Sequence, residues 1–361
     1  MFYYLIYSLR TKYSFLNVFR YITFRAAYTA LTSLILSFLL GPWLINKLRS
    51  FNVGEQIRDV VPVVHQTKAG TPTMGGILLL ISLVIPTLLW ADLKNRYIWV
   101  VILVTVSFGI LGFWDDFLKL KGKGKSSGLS IKSKLLIQSL IALAAGIYLY
   151  LNPANSYTTE LAVPFFKNLK PNLGWFYIPF CLFVIVGTSN SVNLTDGLDG
   201  LAIGPMIIAA ATYTGLAYVT GHAKFAHYLM IINVKGAGEL TIFCSAMMGA
   251  GLGFLWFNTY PAQVFMGDMG SLSLGAALGT VALLTKHELI LILIGGLFVI
   301  ETVSVIIQII SFRLSGRRIF AMAPIHHHFE LKGWAEPKII VRFWIISIIL
   351  ALLSFSTLKL R

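Results

Sequence analysis

The chain has 361 residues, of which 57% are hydrophobic and only 12% charged, against roughly 25% charged in an ordinary soluble domain. That composition excludes a soluble enzyme and points to a polytopic membrane protein, because the apolar runs recur along the full length. The formal net charge of +15 fits basic helix ends facing membrane lipids, and it fits an anionic substrate equally well; nucleic acid is not an expected partner.

Residues 1–20 mix Tyr and Phe with Arg10, Lys12 and Arg20. They lack a short apolar core followed by small residues, so no cleavable signal peptide is expected, and the segment reads as an interfacial anchor. A membrane-crossing helix needs about 20 mostly apolar residues. Ten runs qualify, at about 22–46, 74–92, 97–114, 134–151, 173–190, 200–219, 238–257, 269–285, 288–311 and 339–357. Asn152-Pro153 and Pro171-Asn172 break the chain between the fourth and fifth. Cys181 and Cys244 lie inside apolar runs and read as buried packing thiols. The expected fold is an all-α polytopic membrane protein of about ten transmembrane helices, forming one integral membrane domain over 1–361.

Alternating spans put successive loops on opposite sides. Loops 47–73, 115–133, 191–199, 258–268 and 312–338 then share one face, and they hold every conspicuous polar motif. Counted to the helix ends, these loops carry 16 Lys and Arg against 7 in the other loops, while the two tails add 6 to the opposite side. Lys and Arg mark the cytoplasmic side. The motif-bearing face is therefore expected to be cytoplasmic and both termini periplasmic, although the basic N-terminal segment counts against that orientation.

Only 14 residues are acidic, and five of them sit in three short clusters. The first is Asp115-Asp116, expected at the end of the third span. Adjacent carboxylates on a helix point about 100° apart, so one can touch a metal or substrate while the other orients it. Solvated acids at a helix C-terminus would oppose the helix dipole, which disfavours an ordinary surface role. The second is Asn193-Leu194-Thr195-Asp196-Gly197-Leu198-Asp199-Gly200. Asp196 and Asp199 share a face if the segment is helical, and the glycines admit a phosphate or sugar; a tight turn capping the next span is the plainer alternative. The third is Asp268 among Gly267, Gly270 and Ser271 at an expected helix start, where it is either a simple cap or a ligand. Five carboxylates on one face can hold a hard cation such as Mg²⁺.

Other polar groups surround these acids. Asn258 and Phe265 offer an amide and a stacking plane for a nucleobase, although a Phe taken alone is more often a core residue. Lys119, Lys121, Lys123, Lys125, Lys132 and Lys134 follow the Asp pair; most suit topology and headgroups, and one or two can reach a phosphate. Glu301, Ser304 and Gln308 form a stripe at helical spacing, fit either for function or for a bond between helices. His326-His327-His328 cannot all ligate one ion, and neither a Cys nor a nearby acid completes a zinc set. Phosphate binding with Arg317, Arg318 and Lys332 suits the histidines better. Together these features suggest phosphoryl or phosphosugar transfer to a lipid at the membrane surface.

The acidic motifs, Phe265-Met266-Gly267-Asp268 and the histidine run resemble the polyprenyl-phosphate N-acetylhexosamine-1-phosphate transferases. Pro324-Ile325-His326-His327-His328-Phe329-Glu330-Leu331-Lys332-Gly333, with Gly70-Thr71-Pro72-Thr73-Met74-Gly75-Gly76, resembles the branch that uses UDP-N-acetylmuramoyl-pentapeptide. The likeness runs from about residue 15 to the C-terminus. It implies transfer of the phosphosugar to undecaprenyl phosphate, giving lipid I and UMP, with Mg²⁺ as cofactor, ten spans, periplasmic ends and a homodimer. It further implies that Asp268 binds Mg²⁺ and that Asp115 and Asp116 are catalytic. Lys68, Asn193, Asp196, Asn258 and Phe265 would line the nucleotide pocket, and His326 and His327 would lie near the diphosphate. Motifs and resemblance together give Asp115, Asp116, Asp268 and His326 as catalytic candidates. Thr73, Lys125, Asp199 and Gln308 join the residues expected to bind substrate.

Three other readings stay open. A sister transferase would use UDP-N-acetylglucosamine, against which the extended histidine motif argues. A CDP-alcohol phosphatidyltransferase would carry Ala-Arg just after its Asp-Gly, where this chain has Leu201-Ala202-Ile203. A transporter would set its acids near the midplane of broken helices rather than at one end.

Overall fold

The computed structural model describes residues 2–50, 70–121, 128–153, 157–166 and 169–359. The helices are α1 (Phe2–Ser8), α2 (Ile22–Ser50), α3 (Gly76–Trp90), α4 (Arg96–Lys121), α5 (Ile131–Leu151), α6 (Tyr177–Thr195) and α7 (Ile203–Gly221). They continue with α8 (Ala223–Leu229), α9 (Leu240–Asn258), α10 (Gly267–Thr285), α11 (Leu291–Ile294), α12 (Gly296–Ser315), α13 (Ile325–Leu331) and α14 (Glu336–Ser356). Among the described residues, nine helices are long and apolar enough to cross a membrane, and α3 is a shorter apolar helix of 15 residues. At 1.5 Å per residue α3 rises about 22 Å, less than the roughly 30 Å hydrocarbon layer. All ten apolar runs thus become helix, but the second does so over less than its expected length.

Burial ranks the helices. In α10, 83% of the most apolar window is buried inside the protein, and in α9 78%, against 22% in α12. The small residues of α10 allow this, because Gly and Ala let neighbouring backbones approach closely. At Gly112 of α4 an added Cβ would lie 2.4 Å from the carbonyl oxygen of Asp268. That missing side chain brings α4 against the first turn of α10. α12 faces outward, with Ile306, Ile309 and Ile310 exposed along it, as a lipid-facing helix requires.

Two element boundaries differ from expectation. α4 continues to Lys121, so Asp115 and Asp116 lie inside the helix rather than at its end. Hydropathy falls at the charges, but Phe, Leu and Lys sustain a helix past them. The ninth run breaks at Gly295, which separates α11 from α12.

The end opposite the acidic motifs is also tied. Arg25 of α2 grips Glu239 through two contacts of 2.9 and 2.6 Å and donates to the Trp90 carbonyl at 3.1 Å. The Asp92 amide donates to the same Glu239 at 2.9 Å, and Asn95 donates to the Gly236 carbonyl at 2.7 Å. Lys286 pairs with Glu288 at 2.8 Å. The loops at this end are therefore structured by buried ion pairs, contrary to their bland sequence. Both thiols are free and buried.

Candidate active site

The polar motifs gather at one end of the bundle, and hydrogen bonds tie most of them together. The Pro72 carbonyl accepts from the Phe265 amide at 2.8 Å. The Gly75 and Gly76 amides return bonds of 2.8 and 2.9 Å to Phe265 and Met266. This ladder sets the Thr73 segment beside the entry to α10. Gly200 donates to Asn258 Oδ1 at 3.0 Å, and Asp199 Oδ2 accepts from the Ala262 amide at 2.9 Å. The Asp199 amide donates to Glu336 Oε1 at 3.0 Å, which brings in α14.

At the centre are three carboxylates. Asp115 and Asp116 are buried, so they are not solvated helix-end acids. Asp115 Oδ1 accepts from the Leu129 amide at 2.7 Å, and its Oδ2 lies 2.8 Å from Lys119 Nζ and 3.2 Å from Lys134 Nζ. Asp116 accepts from the Met269 amide at 3.1 Å through Oδ2, in the first turn of α10, while its Oδ1 stays 3.7 Å from Lys119 Nζ. The 100° divergence expected of neighbours on a helix thus lets Asp116 dock α10 while Asp115 sits closer to the lysines. Asp268 Oδ2 meets Lys119 Nζ at 2.8 Å and also Lys134, while its Oδ1 accepts from Asn193 Nδ2 at 2.8 Å. The same Asn193 amide reaches Ser271 Oγ at 2.8 Å.

Several expectations are refined here. The segment from Asp196 to Ala202 is a turn between α6 and α7, so Asp196 and Asp199 do not share a helical face. Asp199 does not cap α7; it is buried and anchors the 259–266 loop. Asn258 is buried, and its amide already serves Gly200 and the Val264 carbonyl, the latter at 2.8 Å. It braces the loop that carries Phe265, which is half-buried. Gln308 braces another loop, bonding the Phe320 carbonyl at 2.9 Å and the Ile319 and Phe320 amides at 3.1 and 3.0 Å. Lys68 and Lys125 lie outside the described residues, as does Lys123.

The three histidines face three different partners. His326 Nδ1 lies 3.1 Å from Glu301 Oε2, with both side chains buried. The contact has ion-pair distance but is off the angle of a hydrogen bond. His327 Nδ1 lies 2.6 Å from Glu330 Oε2, and His328 Nδ1 accepts from the Ala321 amide at 3.0 Å. Acids stand beside two of the histidines without completing a metal set; Glu330 is readable at i+3 on a helix, whereas Glu301 arrives from a different helix. Among the described residues these groups form no metal cluster. Arg317, Arg318 and Lys332 are exposed around them.

A multi-pass helical bundle with a carboxylate and lysine cluster at one end is the framework of a membrane-embedded phosphosugar transferase. Residues 98–286 match the family described as glycosyl transferase family 4, and residues 68–80 match signature 1 of phospho-N-acetylmuramoyl-pentapeptide-transferase. The chain belongs to the phospho-N-acetylmuramoyl-pentapeptide-transferase family. It is 59% identical to the protein of that name from Syntrophus aciditrophicus and 57% identical to that from Citrifermentans bemidjiense, each alignment covering 100% of both chains. The corresponding protein of Desulfosudis oleivorans is 58% identical over the same full coverage.

Proposed function

We propose that this chain transfers phospho-N-acetylmuramoyl-pentapeptide from UDP-N-acetylmuramoyl-pentapeptide to undecaprenyl phosphate in the bacterial inner membrane. The products are lipid I and UMP, and Mg²⁺ is required. The observation that carries this reading is the convergence of Asp115, Asp116, Asp268, Asn193 and two lysines at one end of an apolar bundle. A lipid acceptor can arrive from the bilayer and a nucleotide donor from the aqueous side. We further propose that this end faces the cytoplasm, that both termini are periplasmic, and that the protein forms a homodimer, as the sequence resemblance implies.

The donor set suits Mg²⁺. Asp115 and Asp268 each turn Oδ2 toward the same cationic nitrogens, and carboxylate oxygens are the donors this ion takes. An ion held there would share its shell with water and substrate phosphates, as Mg²⁺ does. Bound there, Mg²⁺ would supply charge neutralisation at the diphosphate.

The protein's own groups do the rest. Asp115 orients the acceptor phosphate, whose oxygen attacks the sugar-proximal phosphorus as the bond to UMP breaks. A phosphate monoester has its second pKa near 6, so little base catalysis is needed at pH 7. Asp116 holds α10 in register with α4, which fixes Asp268. Asn193 sets the angle of the Asp268 carboxylate. Phe265 offers its ring to the uracil, braced by Asn258, and His327, Arg317 and Arg318 face the anionic donor.

Donor competition tests the substrate. Purified protein with undecaprenyl phosphate should form a lipid-linked product from UDP-N-acetylmuramoyl-pentapeptide and none from UDP-N-acetylglucosamine. Product from the second donor alone would assign the chain to the sister reaction.

A further inference from the structure

We propose that Glu301 is a positioning residue that acts on the reaction through His326; this rests on the transferase reading above. Glu301 sits in the second turn of α12, a mostly lipid-facing helix, on its one buried stripe with Leu297, Phe298 and Ser304, and it is fully buried. A buried carboxylate in a membrane span costs several kcal/mol unless something faces it. What faces it is Nδ1 of His326 at 3.1 Å, from the short helix α13. Among the described residues neither carboxylate oxygen has a hydrogen-bond partner, and Ser304 bonds only the Glu301 backbone carbonyl. The carboxylate is thus reserved for the imidazole.

The other edge of the ring points at the substrate turn. His326 Nε2 is also buried without a hydrogen-bond partner among the described residues. It lies 2.4 Å from where a Cβ of Gly197 would be, so it packs directly on an exposed glycine between Thr195-Asp196 and Leu198-Asp199. Leu198 and Leu201 of the same turn pack with Leu297, one turn before Glu301. Three elements therefore stack in order: the α12 carboxylate, the α13 imidazole and the turn after Asn193. A carboxylate on one ring nitrogen fixes which nitrogen carries the proton there and how the ring is aimed. Glu301 takes the Nδ1 side, which leaves Nε2 as the group presented to the turn that holds Asp196 and follows Asn193 at the end of α6.

The test combines a spectroscopic and a kinetic reading on the full-length protein in detergent. Histidine ring nitrogens are labelled with ¹⁵N, and the His326 signals are assigned by their loss in His326→Asn. In the unliganded wild type, Nδ1 should be protonated and should show a single state. Glu301→Leu should abolish that single state, lower kcat at least tenfold and leave the donor KM within threefold. The double variant with His326→Asn should be no slower than His326→Asn alone. Glu301→Gln, nearly isosteric, should keep the ring orientation and lose less activity, and it stands in if the leucine variant does not fold. Unchanged His326 signals in the variant read, or rate losses that multiply in the double variant, would overturn the inference. Absence of UMP release from the wild type would instead overturn the transferase reading, while leaving the ring-nitrogen result interpretable.

Discussion

Asp115 on α4 and Asp268 on α10 share both of their ammonium partners. Lys119 Nζ lies 2.8 Å from Oδ2 of each, and Lys134 Nζ contacts the same two oxygens. The two carboxylates are therefore held as a pair around positive charge. A divalent ion brought to them competes with the lysines for the same oxygens.

That competition is measurable. Lys134→Met removes one ammonium from the pair and should lower the half-saturating Mg²⁺ concentration several-fold. On the proposed reaction it should also reduce kcat about tenfold or more, because an ammonium beside both carboxylates, where the donor phosphates would bind, is lost. A titration of UMP release against Mg²⁺ reads both effects.

Close approach makes two glycines sensitive for different reasons. At Gly112 a methyl group would strike the Asp268 carbonyl at 2.4 Å, so Gly112→Ala must separate α4 from α10. Overpacking of this kind costs about 1–3 kcal/mol, and a fall in unfolding temperature in detergent should accompany the loss of activity. At Gly197 the obstacle is His326 Nε2, a side-chain atom. Gly197→Ala must displace the buried His326 ring, so it should reduce kcat at least tenfold and also lower the unfolding temperature, as overpacking of about 1–3 kcal/mol does.

Arg25 separates stability from catalysis. Arg25→Ala leaves the mostly buried Glu239 uncompensated at the far end from the carboxylates. Losing one partner of a buried pair costs about 3–5 kcal/mol. A clear drop in unfolding temperature is expected, with kcat within twofold of wild type at low temperature.

Orientation can be read by labelling. Cys181 and Cys244 are buried, so the wild type should be silent to an impermeant maleimide. Lys94→Cys, exposed at the end away from the carboxylates, should react in intact spheroplasts. Ser315→Cys, exposed at the end of α12, should react only after permeabilisation. The reverse pattern would invert the proposed topology.

A direct attack leaves no covalent intermediate. Incubation with labelled UDP-N-acetylmuramoyl-pentapeptide alone should leave no label on the protein after denaturation. Label that is retained on an aspartate would establish a two-step route.

Much of this arrangement is legible in the sequence, because hydrophobic run length and rare acids are strong signals in an apolar chain. All ten runs are helical, and the polar motifs meet at one end as alternation requires. What escapes is set by contacts distant along the chain. Asn258 reads as a substrate-facing amide, and its bonds to Gly200 and Val264, which brace the loop, are not announced by the sequence. Glu301 and His326 are linked across the α12–α13 connection without a spacing that betrays it. Arg25 and Glu239 are 214 positions apart, so no local pattern announces their pairing. The Asp115-Asp116 boundary fails for another reason: hydropathy marks where hydrocarbon ends, whereas the helix continues into the polar layer to Lys121.

The central claim is that the carboxylate cluster drives metal-dependent phosphosugar transfer. Its most direct test is UMP release from UDP-N-acetylmuramoyl-pentapeptide and undecaprenyl phosphate, with and without Mg²⁺, in the wild type and in Asp268→Ala. Release that needs Mg²⁺ and falls at least a thousandfold in the variant is the predicted result. Release that persists in chelator, or that survives in Asp268→Ala at near wild-type rate, would contradict it.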